Sequence, residues 1–289
     1  MTTTTYDSSS TSAPKSSLNG GRIATRQLLG ILRLEVGKNL FSPRAIAVYV
    51  LALVPVLLTL VFAIFSDVDD LAPGPVEMIG AFGALFPLYV RVSIFLGTLF
   101  LFMNLFRAEV LERTLHYYFL APVRREVLVL GKYLSALIAA SAVFAFGTAA
   151  IFLFMIAPYG FSALGEYIFG GPGLRNLMGY IGVAILGCAG YGSIFLLIGQ
   201  FFRNPVIPAI ALWGWELVNF VLPPMLKKIS VVHYLQSLYP VPVTEGPLAV
   251  IANPTPWWIS LPGLILLTIV VIGIATWRAG RMEIHYGDD

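Results

Sequence analysis

Charged residues are scarce in this chain, because Asp, Glu, Lys and Arg make up only 11% of its 289 residues. Soluble domains usually carry about 25%. Hydrophobic residues make up 58%, and the mean hydropathy is +0.84. This composition excludes an ordinary soluble protein and predicts an integral membrane protein. Apolar segments take up most of the length, which leaves no room for a soluble catalytic domain of roughly 100 residues or more.

Cysteine and the common catalytic motifs are also lacking. The single cysteine, Cys188, excludes an internal disulfide and a cysteine metal cluster. The sequence has no HExxH zinc pair, no GxxxxGK[ST] phosphate loop, no GxSxG nucleophile turn and no GxGxxG nucleotide turn. His116, His233 and His285 are too scattered to form a local ligand set. We therefore expect no enzyme activity, no cofactor and no metal in this chain.

Long apolar runs are what the chain does have. About 20 apolar residues in a helix cross the roughly 30 Å of hydrocarbon in a bilayer. Six runs meet this length rule, which predicts an all-α integral membrane protein with six transmembrane helices. Glycines crowd the fourth run, and such small residues let neighbouring helices approach closely. The predicted spans are 45–65, 78–106, 133–157, 177–202, 206–222 and 258–277.

Three further segments flank or join these spans. Residues 1–20 are rich in Thr and Ser without apolar periodicity, which predicts a disordered tail. Residues 22–40 alternate apolar and basic positions in a helical rhythm, which predicts an amphipathic helix at the membrane interface. The loop 223–257 is long and contains a helical stretch, 231–238, that lies along the outer surface or caps the adjacent hairpin. This loop either has a function of its own or only closes the extracellular end of the protein.

The distribution of Lys and Arg predicts the orientation. With a cytoplasmic N-terminus, only Arg175, Lys227 and Lys228 fall outside and Arg91 lies within a span, while all the others fall inside. Such an excess marks the cytoplasmic side. We expect a multi-pass protein of the cell (inner, cytoplasmic) membrane with both termini in the cytoplasm. The loop 107–126 then faces the cytoplasm.

That cytoplasmic loop is the most informative segment. From Glu109 to Lys132 the chain reads EVLERTLHYYFLAPVRREVLVLGK, a charged stretch between two long apolar runs. Leu111, Leu115, Tyr118 and Phe119 are spaced to share one face of a helix, and Pro122 ends it. Such a short exposed helix could dock into another protein. The alternative is a solvated loop whose charges only set the topology.

The order of residues in this loop resembles the first cytoplasmic loop of ABC-2 type transporter permeases. That family's pattern is approximately E-x-E-x-G-T-L-E, then P-V-S-R, then a glycine and a lysine. Three positions depart from it: Leu111, Arg113 and His116 stand where glutamate, glycine and glutamate are usual. The positions that match are Glu109, Thr114, Leu115, Pro122, Val123, Arg125, Gly131 and Lys132.

The resemblance implies an ABC-2 (type V exporter-like) permease subunit. Two such subunits, identical or closely related, pair in the bilayer, and each docks its loop helix onto an ABC ATP-binding subunit that carries ATP and Mg²⁺. Accessory proteins outside the cell are a further class of partner, and nucleic acid is not expected. The residues implied to couple to the ATPase are Glu109, Glu112, Arg113, Thr114, Leu115, Tyr118, Pro122, Arg124 and Arg125.

Arg91 and Glu216 are charges inside predicted spans. Each costs at least about 2.5 kcal/mol to insert, so such residues usually face protein or a water-filled cavity. Two interpretations stay open: both line the translocation path, or they form a salt bridge between spans two and five. They also allow a second function, a standalone channel or an ion-coupled carrier in which Arg91 and Glu216 form the polar path.

Overall fold

The structure of the chain is a computed structural model that describes residues 20–42, 45–66, 74–105, 125–202, 204, 206–219, 223–241 and 255–280. Within these residues the chain forms helices and no strand. The prediction of an all-α membrane protein is confirmed at this level, because five helices are long and apolar enough to cross a membrane. Residues 1–19, where a tail was predicted, lie outside the described residues.

Eight main helices organise the described part of the chain, together with a four-residue helix at Pro224–Lys227. A π-helical turn, Val90–Ile94, interrupts α3. A short helical stretch follows α4 and leads to α5. The helices are α1 Gly20–Phe41, α2 Ala45–Phe65, α3 Pro75–Phe102, α4 Arg125–Ile156, α5 Gly173–Phe201, α6 Val206–Val218, α7 Val231–Gln236 and α8 Trp257–Gly280.

The helix α6 is shorter than its predicted span, 206–222. It has 13 residues, which give a length of about 20 Å and cannot cross roughly 30 Å of hydrocarbon. The long apolar helices of the described chain are therefore α2, α3, α4, α5 and α8. The count of six spans stays a prediction.

The long helices alternate in direction, so their ends meet at two ends of one bundle. We call the end where α2 begins, α3 ends and α4 begins the α1 end, because α1 packs there against α4. The guanidinium of Arg278, near the end of α8, lies 4.0 Å from the ring centre of Phe201 at the end of α5. Both helices thus finish at the α1 end, and the opposite end is the far end.

The centre of the bundle is formed by α3 and α5. In their most apolar windows, 67% of α3 residues and 56% of α5 residues are buried, against 17% for both α2 and α8. Aromatic side chains fill the space between the central helices, and Phe86 of α3 meets Tyr180 of α5 edge to face at 4.7 Å. The outer helices α2 and α8 present apolar side chains outward, as helices in contact with lipid do.

Candidate functional site

The helix α7 is buried within the bundle. Val231, Val232 and Leu235 have no exposed surface, and α7 packs against α5 and α8. A side chain on Gly190 of α5 would lie 2.9 Å from Val231, so the glycine permits this close approach. Gly190 is 17 residues after the start of α5, about 26 Å along its axis. The segment around α7 therefore returns deep into the bundle, and the expectation that it lies along the outer surface is wrong.

Glu216 of α6 holds the beginning of α7. Its carboxylate accepts hydrogen bonds from the Ser230 hydroxyl at 2.6 Å and from the backbone N–H groups of Val231 and Val232, each at 3.1 Å. The Tyr191 hydroxyl of α5 lies at 3.5 Å. The first N–H groups of a helix have no partner within that helix, and a negative charge is favourable there. Glu216 is 1% exposed, so these donors replace the water that it loses.

Arg91 lies in the π-helical turn of α3 and is also buried. Its backbone carbonyl accepts a hydrogen bond from the indole N–H of Trp213 at 3.1 Å, which joins α3 to α6. In the described part of the chain its Nε has no hydrogen-bond partner, and neither has the hydroxyl of Tyr239. Widened turns of this kind occur often at functional sites. The turn thus presents a buried cation with an unsatisfied donor near Glu216 and Tyr191.

Arg91 and Glu216 are near each other, but among the described residues they form no ion pair. The charge of Arg91 acts electrostatically on Glu216, Tyr191 and Tyr239. Direct contacts between α3 and α6 run instead through Trp213. Of the two interpretations from sequence, a direct salt bridge is not the geometry observed, and lining of a path stays a prediction.

Two further residues belong to this cluster. The indole N–H of Trp213 has a specific acceptor on α3. Ser230 precedes an apolar helical stretch, which is the usual position of a capping serine. Here its hydroxyl donates to Glu216, which supplies the cap itself. A serine before a helix was the one available signal for this arrangement.

The helix α1 is fixed to the beginning of α4. The Nζ of Lys132 lies 3.1 Å from the Glu35 carboxylate, and both side chains are almost fully buried. The Asn39 amide donates to the Ser135 hydroxyl at 3.2 Å. A side chain on Gly131 would lie 2.7 Å from Ile31. The predicted helix at 22–40 is present, and it packs against α4 through a polar contact.

The outward surface of α1 is apolar and basic. Leu29, Leu34 and Phe41 are 65%, 77% and 87% exposed. Arg33 and Lys38 are exposed between them. This mixture suits the interface between hydrocarbon and headgroups, because long basic side chains reach the headgroups while their stems lie on apolar surface. The carboxylate of Glu35 therefore faces the bundle, while the opposite side of α1 carries the apolar and basic side chains that suit the membrane interface.

The residues implied to couple to an ATPase fall in a segment that the structure does not describe. Arg125 is the first residue of α4, but the structure does not describe its side chain. Its predicted role and those of the others stay predictions. The residues outside the described part are Glu109, Glu112, Arg113, Thr114, Leu115, Tyr118, Pro122 and Arg124.

Comparison of the chain with protein-family models and with curated proteins gives no match.

Proposed function

We propose that this chain is the membrane-spanning permease subunit of an ABC-2 type exporter, working with a separate ATPase subunit that holds ATP and Mg²⁺. The observation that carries the proposal is the charged segment from Glu109 to Lys132, which follows the loop pattern of that family. The chain itself offers no phosphate loop, so hydrolysis belongs to the partner. The substrate is a solute that moves through a path among the helices, and its identity is left open.

The attachment of α1 gives the proposed coupling a physical route. Gly131 and Lys132 close the loop pattern, and these two residues contact Ile31 and Glu35 of α1. A push on the loop therefore reaches α1 and α4 together. ATP can drive the change only by binding one state of the ATPase more tightly than the other. The loop, α1 and the start of α4 then act as one lever on the bundle.

The cluster of Glu216, Trp213 and Ser230 is the part of the bundle that we propose stays fixed while the loop, α1 and the start of α4 move. Glu216 and Trp213 tie α6 to both α7 and α3. Since α7 is also buried against α5, this network joins α3, α5, α6 and α7. Opening toward the far end would require α6 and α7 to move together.

A second copy of the chain, or a close relative, is the proposed partner within the bilayer. In the described part of α6 only Ala209 and Glu216 are buried, while Ile207 and Ile210 are 68% and 63% exposed. A short helix with so little covered surface offers a face to a partner subunit. Cysteines introduced at Ile210 should cross-link two copies in membranes, whereas cysteines at Ile269 of α8 should not.

The test of the main proposal is recovery of the ATPase. Pull-down of the tagged chain from its native membrane should recover a protein with a GxxxxGK[ST] phosphate loop. The double variant Leu115→Glu, Tyr118→Lys should lose this protein, because charges replace the apolar face of the loop helix. Membrane insertion of the variant should be unchanged.

The matched control places the same kinds of change at the far end. Phe161 and Phe169 are 93% and 83% exposed there, and the double variant Phe161→Lys, Phe169→Glu should keep the ATPase at full yield. If the loop variant also retained it at full yield, the docking assignment would be wrong. If no phosphate-loop protein were recovered with the unchanged chain, the permease proposal itself would fail.

The second candidate is a standalone channel or ion-coupled carrier. The buried guanidinium of Arg91, whose Nε has no partner among the described residues, favours it, because buried charges mark ion paths. The three short hydrogen bonds to Glu216 weigh against it, since they already occupy that carboxylate. Proteoliposomes of the purified chain would conduct or exchange ions without ATP if this candidate were correct.

A further inference from the structure

The guanidinium of Arg91 has an unused hydrogen-bond donor in the middle of the bundle. Its Nε has no hydrogen-bond partner among the described residues, and no described carboxylate forms an ion pair with it. A guanidinium presents five N–H donors in one plane, and a buried charge is costly unless it is paired and hydrogen-bonded. A negatively charged ligand that accepts from these donors would offset part of this cost.

The position of Arg91 along α3 keeps its charge away from both membrane interfaces. Arg91 is 16 positions after Pro75 and 11 positions before Phe102, the two ends of α3, which is about 24 Å and 16 Å along a helix. Arginines near the end of a span can extend to the interface, but deeper ones face protein or a water-filled cavity. The charge of Arg91 therefore has to be compensated within the bundle.

The hydroxyl of Tyr239 is a second unpaired polar group near Arg91. In the described part of the chain it has no hydrogen-bond partner, and it is close enough for the Arg91 charge to act on it. Its ring packs edge to face on Phe86 of α3, with 5.6 Å between the ring centres. Phe86 is five positions before Arg91 on α3. A cation and a hydroxyl, both without partners, thus lie together beside an aromatic ring.

Arg91 and Tyr239 also keep a small accessible surface although protein surrounds them. Arg91 is 5% exposed and Tyr239 is 9% exposed, whereas the neighbouring Tyr180 and Tyr191 have no exposed surface. Accessible surface is surface that a water-sized group can touch. The two side chains with unpaired polar atoms are therefore the ones that border free space, while the tyrosines of α5 are enclosed.

The carboxylate of Glu216 does not use these donors. It already accepts hydrogen bonds from Ser230, Val231 and Val232 at the start of α7. Its charge acts on Arg91 only across a distance, which favours a ligand with a single negative charge over one with several. Two oxygens in one plane match the side of a guanidinium, where two parallel N–H bonds can form. A carboxylate has both properties.

We propose that Arg91 and Tyr239 bind the carboxylate of a small organic acid. The guanidinium donates two hydrogen bonds, through Nε and one Nη, and the Tyr239 hydroxyl donates a third. The bond from the Trp213 indole to the Arg91 carbonyl holds the backbone of this turn in place. Binding does not depend on the proposed transport function, so its test is separate from the recovery of an ATPase.

The test is isothermal titration calorimetry of benzoate with the purified full chain in detergent. We expect one benzoate bound per chain. Benzamide has nearly the same shape without the charge, and chloride has the charge without the paired oxygens, so both should bind much more weakly. Arg91→Met should abolish the binding. Tyr239→Phe keeps the ring and should lower the affinity about tenfold, the effect of losing one hydrogen bond to a charged group.

The matched control is Arg175→Met, which removes an exposed arginine at the start of α5 and should bind benzoate as the unchanged chain does. Glu216→Gln removes the nearby negative charge and should bind benzoate more tightly, a result that a purely structural role of Arg91 does not predict.

Three results would overturn the proposal. The first is absence of benzoate binding by the unchanged chain. The second is unchanged affinity in Tyr239→Phe together with unchanged affinity in Arg91→Met, and Tyr239→Phe alone decides if Arg91→Met does not fold. The third is equal binding of benzamide or chloride, which would remove the role of the carboxylate.

Discussion

Two buried glutamates are stabilised in different ways in this protein. Glu35, at the α1 end, faces the ammonium group of Lys132 at 3.1 Å. Glu216, in the middle of the bundle, accepts hydrogen bonds from neutral donors at the start of α7. The first contact joins two helices through opposite charges, whereas the second joins them through a carboxylate and a helix terminus. The comparison shows that a buried carboxylate in this bundle does not need a cation in contact with it.

Breaking the ion pair at the α1 end should have the largest effect. Lys132→Met removes the buried cation from Glu35, and loss of one partner from a buried pair costs about 3 to 5 kcal/mol of stability. The double variant Glu35→Leu, Lys132→Met should recover most of this loss, because no charge is then left buried. Thermal unfolding in detergent measures both. A double variant as unstable as the single one would show that the pair is not the source of the effect.

Replacing Glu216 should have the next largest effect. Glu216→Leu leaves the Ser230 hydroxyl and two backbone N–H groups without their acceptor, at about 1 kcal/mol or more each, so we expect a loss of roughly 3 kcal/mol. Glu216→Gln keeps one acceptor oxygen and should lose less.

The release of α7 supplies a second measurement for the Glu216 variants. In a Cys188→Ala background, a cysteine at Leu235 is buried and should react slowly with a thiol reagent. Its labelling should become faster in Glu216→Leu than in Glu216→Gln. Equal labelling in both variants and in the unchanged background would contradict the role of Glu216 in holding α7.

The bond between α6 and α3 should contribute less. Trp213→Phe removes the indole N–H that donates to the Arg91 carbonyl, and one hydrogen bond of this kind is worth about 1 kcal/mol. Trp258→Phe, at a position 61% exposed on α8, is the matched control and should change the unfolding temperature little. If both variants lowered the unfolding temperature equally, the bond from Trp213 to Arg91 would not be stabilising.

Coupling between Arg91 and Glu216 should be the smallest of these effects. No ion pair joins the two side chains among the described residues, but the Arg91 charge acts on Glu216, and such neighbouring groups couple by about 0.5 kcal/mol or more. A double-mutant cycle with Arg91→Met and Glu216→Gln should therefore give a coupling energy at the low end of that range. For the same reason, exchanging the two charges should not restore stability. Rescue by the exchange would instead identify a salt bridge that forms in another state of the protein.

The sequence was a good guide to the helices long enough to span a bilayer and a poor guide to the length of α6 and the position of α7. Helices such as α2 were predictable because nearly every residue must be apolar to span a bilayer. The length of α6 was not, since residues 206–222 are mostly apolar although the helix ends at Val218. Apolarity alone cannot distinguish burial in protein from burial in lipid.

The cluster around Glu216 was only half predictable, for a related reason. Arg91 and Glu216 stood out because charges are expensive in hydrocarbon, and one of the two interpretations paired them with each other. The donors that Glu216 uses are a serine and two backbone N–H groups 14 to 16 residues further along the chain. Backbone groups carry no sequence signature, so only the fold reveals them.

The widened turn at Val90–Ile94 also sets how α3 meets its main neighbour. Phe86 and Phe95 lie on either side of it, and each ring packs against a tyrosine of α5, Tyr180 at 4.7 Å and Tyr191 at 5.1 Å. Two α-helical turns use about seven residues, whereas these phenylalanines are nine positions apart. The extra width takes up part of that surplus, so both rings can reach the same neighbour. If the turn were regular α-helix, the nine positions would span about two and a half turns, which would place Phe95 on the opposite side of α3 from Phe86 and away from Tyr191.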